Sequence, residues 1–156
     1  MPVLKPEIMH PLMVHFPIVL LIALAMTDHV ALFAGRNLGG QSCLPNISAL
    51  LAVLAGATAM FVYVNGSVAY DIALTNGTSP VVLDMHRDLG TVLTVLALIW
   101  AVLRGWILVR QRTVSRMWNI LVASTSLGLA ILVVVVALYG TGLVYAHGVN
   151  VVVPGT

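Results

Sequence analysis

Charge is what this sequence has least of: 8% of its 156 residues are Asp, Glu, Lys or Arg, where a soluble domain carries about 25%. So thin a polar shell excludes a water-soluble globule. It also excludes a disordered tail, which needs polar bias, and a nucleic-acid binder, which needs a basic stripe. A lone cysteine, Cys43, excludes a disulfide-stapled module. No phosphate-binding glycine loop is evident, nor a serine or cysteine nucleophile beside a base. No internal repeat or low-complexity segment stands out. What the chain has in abundance is apolar residues, 60% of the total with a mean hydropathy of +1.06. It reads as a small all-α integral membrane protein whose principal partner is the lipid bilayer.

The few charges divide the chain into runs long enough to cross a bilayer, for which about 20 residues suffice. The first lies between Glu7 and Asp28. The second runs from Asn37 to Tyr70, with a polar start that places the helix proper near Ile47 or Ser48. The third opens on Ser79-Pro80, an N-cap followed by a proline in the first turn. The fourth contains LGLAILVVVVALYG. The expected domain spans residues 1–156, with helices over about 11–34, 47–71, 80–110 and 116–147. Short connections between them imply a four-transmembrane-helix up-down-up-down bundle. The first segment reads as a retained helix. A cleavable signal peptide ending near Ala23-Leu24-Ala25 is disfavoured by Lys5 pairing with Glu7 and by two histidines at the start of the run.

Arg36, Arg110, Arg112 and Arg116 gather at one end of this topology, with Arg104 just inside it. The other end has only Lys5 and Arg87 beside Glu7, Asp71, Asp84 and Asp88. Positive charge favours the cytoplasm, so both termini are expected on the periplasmic side of a bacterial inner membrane. Trp106, Trp118, Tyr70 and Tyr145 fit interfacial belts. Asp28 is a natural partner for Arg104 in the inner half, and Cys43 falls in a loop as a reduced thiol.

Four of the five histidines, His10, His15, His86 and His147, fall at the terminal-bearing end. Ionisable groups at membrane depth are costly and point to function. His15 lies four residues after Pro11 and His86 six after Pro80, one to two turns into their helices, so the two are expected to face each other across the bundle. His10 and His147 make a possible second pair on adjacent helices. Two imidazoles across an apolar bundle suit axial ligation of haem b, one or two per chain. Arg87 is placed to meet a propionate, and Tyr63, Asn65 and Ser67 to orient ligands. His29, without a histidine partner at its own end, reads as an interfacial polar residue. Gly56, Gly128, Gly140 and Gly142 read as close-packing positions.

The segments HPLMVHFPIVLL (10–21), DMHRDLG (84–90) and GLVYAHGVNVVVP (142–154) together resemble a bacterial four-helix membrane family catalogued as domain of unknown function twenty-two thirty-one. The resemblance covers nearly the whole chain and implies His10, His15, His86 and His147 as its characteristic positions, without an activity. The chain departs from the pattern at Asn150, where a glycine is more usual.

These residues support a membrane b-type cytochrome subunit that transfers electrons between quinol or quinone and a periplasmic redox partner such as a c-type cytochrome. Two other readings stand beside it: a cofactor-free structural or assembly subunit of a larger membrane complex, and a zinc- or copper-binding membrane protein in which the aspartates at the same end join the four histidines.

Overall fold

The computed structural model describes residues 6–40, 42–110 and 113–149, with the backbone alone at 6–8. Lys5, Gln41, Arg112 and Asn150 with the residues after it lie outside these ranges, as does the side chain of Glu7. Every regular element described is a helix: α1 Pro6–Met13, α2 His15–Phe33, α3 Cys43–Thr75, α4 Pro80–Arg110 and α5 Arg116–His147.

Helices α1 and α2 are one rod interrupted at Val14. Pro17 has no N–H, so the Met13 carbonyl four residues before it loses its helical donor. The Val14 N–H still reaches the His10 carbonyl at 3.1 Å, and the Ile18 N–H reaches the Val14 carbonyl at 3.4 Å. With Met9–Phe33 taken as a unit, four helices are long and apolar enough to cross a membrane.

The last two helices have the expected bounds. The second long helix begins four residues earlier than expected, because Pro45 fits its first turn and so does not block it. Cys43 therefore opens α3, exposed, and is not a loop residue. Ser115 caps α5 by accepting from the Trp118 N–H at 3.3 Å, and Gly148 ends it in the left-handed conformation with φ 61°.

Each long helix packs on its neighbours in the chain, and α5 closes the ring on α2. The pairs α2 with α4 and α3 with α5 share no backbone contact among the described residues, so they are the diagonals. Asn37 ties the two connections at one end together: its amide donates to the Val114 carbonyl at 2.6 Å, and its Oδ1 accepts from the Val114 N–H at 2.9 Å. At the centre Leu21, Leu24, Ala52, Ala55, Leu93, Leu129 and Val133 form an apolar plug.

Burial reveals a shared spacing that the residue identities hide. Seven buried positions of α3, namely 45, 48, 49, 52, 55, 56 and 59, recur 74 residues later as the seven buried positions of α5. Likewise buried Pro17, Leu21, Ala25 and Asp28 are matched 76 residues later by buried Leu93, Ala97, Ala101 and Arg104. The two halves thus share one spacing of buried positions, although their residue identities do not repeat.

Candidate functional site

His10 and His86 stand 76 residues apart, one in each half of the chain, and they meet. Their ring centres lie 6.3 Å apart with planes at 81°. The His10 Nδ1–H donates to the Val62 carbonyl at 3.2 Å, and the His86 Nδ1–H donates to the Val136 carbonyl at 3.2 Å. A carbonyl only accepts, so in each neutral ring the proton sits on Nδ1 and Nε2 keeps a free lone pair.

Both rings rest on a glycine one turn beyond the accepting carbonyl. A Cβ at Gly66 would come within 2.7 Å of the His10 ring, and one at Gly140 within 2.9 Å of the His86 ring. Each half therefore builds the same cradle of carbonyl and glycine. The two cradles bring one histidine from each half of the chain against the other.

No hydrogen bond joins the two rings, which stand edge-on to one another. The arrangement brings two imidazoles, one from each half of the chain, to one place in the bundle.

The expected partner of His86 was His15, but the ring opposite it is that of His10. Five residues at about 100° each put His15 about 140° round the helix from His10, so only one of them can face inward. His15 is exposed, its Nδ1 against the Leu12 carbonyl of the preceding helix α1 at 3.3 Å. The second expected pair is not formed either: with His10 engaged by His86, His147 stands exposed on the rim of an open groove of about 460 Å³ between α4 and α5, lined by Val81, Met85, Leu138 and Tyr139 among others.

Arg87 is exposed and stacks 4.6 Å over the Tyr70 ring, whose hydroxyl donates to Asp84 at 2.7 Å. Asn65 and Ser67 do not orient the histidines, since they donate to the Phe61 and Tyr63 carbonyls of their own helix. His29 likewise donates within its helix, to the Ala25 carbonyl at 2.8 Å. Among the described residues no group of three or more His, Cys, Asp or Glu side chains converges as a metal site.

A second polar layer lies eighteen residues further along both diagonal helices, five full turns and about 27 Å away. Here Asp28 meets Arg104 at 3.0 Å, as expected from the sequence, with exposures of 0% and 1%. Ser48 and Ser126 both donate to Asp28, Arg104 Nη2 also donates to Ser48, and the Trp100 indole donates to Ser126 at 3.3 Å. All four long helices contribute. The two serines and Trp100 were not anticipated from the sequence. The signal for them is a small polar residue at a buried helical position.

A family model described as predicted membrane protein, DUF2231, matches residues 7–153. The chain belongs to this family and is a membrane protein. No curated protein and no solved structure matches it.

Proposed function

We propose that this member of the DUF2231 family is a b-type cytochrome subunit holding one haem between His10 and His86. The carrying observation is their mutual geometry, with ring centres 6.3 Å apart and both Nδ1 atoms anchored on backbone carbonyls. A haem would take its remaining two ligands from the protein, and His10 and His86 are the two residues that would hold it. A zinc site needs three or four protein ligands, and the described residues bring no such set together.

When bound, the haem supplies one-electron redox chemistry. The chain's residues hold it and tune it. The Val62 and Val136 carbonyls fix the tautomer and raise the basicity of the ligating nitrogens, and Gly66 and Gly140 admit the rings. This pairing favours one haem over two, since His15 and His147 have no histidine opposite them. Arg87, exposed at the same end, remains the candidate for a propionate.

In this reading the helices run up-down-up-down with both termini periplasmic, which the excess of arginine at the opposite end supports. The haem then lies toward the periplasmic leaflet of a bacterial inner membrane. A haem held there would carry electrons between quinol or quinone and a periplasmic redox partner such as a c-type cytochrome.

A reduced-minus-oxidised spectrum of the chain expressed with ample haem tests the proposal. Soret and α bands of a six-coordinate haem, at one per chain, are expected, and both are lost in His10→Ala and in His86→Ala. A colourless protein under those conditions ends it.

A role inside a larger membrane complex has its own support. A Cβ at Gly128 or Gly142 of α5 would meet nothing within 4 Å, so these small residues serve no contact inside the bundle and leave room for another helix to approach.

A further inference from the structure

The most unusual group in the molecule is Arg104. Its Nη2 is fully used, donating to Asp28 and Ser48, while Nε–H and Nη1–H, equally buried, have no acceptor. The nearby side-chain oxygens already accept from other groups: Asp28 from both serines and from Nη2, Ser48 from Nη2, and Ser126 from Trp100. Unmet donors in a hydrocarbon-surrounded core each cost several kcal/mol, so something must accept from them.

The surroundings select the acceptor. Asp28 already balances the charge of Arg104, and an anion would leave the buried cluster with an uncompensated negative charge. A larger neutral molecule finds no way in, since Asp28, Ser48 and Ser126 are each 0% exposed. A small, neutral acceptor remains.

We infer that the Asp28–Arg104 cluster is a water-binding site, in which ordered water accepts from Arg104 Nε–H and Nη1–H. Buried water typically makes about three hydrogen bonds to groups otherwise unsatisfied. Arg104 lies six residues before the end of α4, about 9 Å along its axis, so the path to the aqueous phase at that end is short. The bound water lets the guanidinium and serine protons exchange with solvent although their side chains are sealed. This assignment does not depend on the haem.

Arginine-selective ¹⁵N labelling of the full chain in deuterated detergent tests it. The Arg104 Nε–H is expected to show a cross-peak at the water frequency, absent from Arg104→Lys. Should that variant not fold, single lysine substitutions at the other five arginines identify the signal by elimination. An Arg104 Nε–H with cross-peaks to protein protons alone overturns the assignment, as does a partner signal that appears only on adding chloride or phosphate.

Discussion

Arg104→Met is the sharpest perturbation of the fold. Arg104 and Asp28 are 1% and 0% exposed and bonded at 3.0 Å, so the substitution leaves a carboxylate in the core with two serine donors and no counter-charge. Breaking a buried pair by removing one partner costs about 3–5 kcal/mol. A neutral hydrogen bond between membrane helices averages only about 0.6 kcal/mol. The charge therefore dominates, and at least about 3 kcal/mol is expected for Arg104→Met.

Asp28→Asn strands the guanidinium instead and should cost a similar amount. The double variant has neither stranded charge. Its loss should fall below the sum of the single losses by about 1.5–3 kcal/mol, within the range for residues in direct contact. Unfolding by SDS in mixed micelles, followed through Trp100, whose indole touches the cluster at Ser126, measures all three. Additive losses, or a loss under about 0.5 kcal/mol for Arg104→Met, within the range of ordinary surface substitutions, would refute the assignment of this pair as the central tie.

Three further outcomes follow from the same coordinates. His15→Ala and His147→Ala should leave the haem spectrum unchanged, because both side chains are exposed and neither faces another histidine; loss of the Soret band in either would redirect the ligand assignment. Gly66→Ala and Gly140→Ala should displace His10 and His86 in turn, since the new methyl would stand 2.7 or 2.9 Å from a ring atom. A matched shift in midpoint potential or loss of haem in both supports the paired site, whereas a change in one alone argues against it. Gly56→Ala should destabilise by about 1–3 kcal/mol through overpacking, because its Cβ would meet Ala101 at 2.6 Å and the Ala97 carbonyl at 3.1 Å. The same SDS titration reads it, and an unchanged midpoint would show that α3 and α4 separate at no cost.

Composition and the spacing of its few charges determined that this chain belongs in a membrane and has four runs long and apolar enough to cross one, because few charges and long apolar runs leave no soluble alternative. The Asp28–Arg104 pairing was also legible, since two opposite charges at one depth have few other places to go. Which histidine faces inward was not settled by local spacing. His10 and His15 differ by about 140° in azimuth, and only the packing of α1 and α2 against their neighbours chooses between them. A clue was nonetheless present: His10 stands eighteen residues before Asp28, as His86 stands before Arg104, so each shares a helix face with a charge that must be buried. The shared spacing escaped for a different reason. Ala, Leu, Val and Ser can all fill a position where a helix is merely packed, so the two halves differ in letters while sharing a spacing of buried positions. Only the tertiary structure, by showing which side chains are covered and which carbonyls hold the two imidazoles, made that correspondence visible.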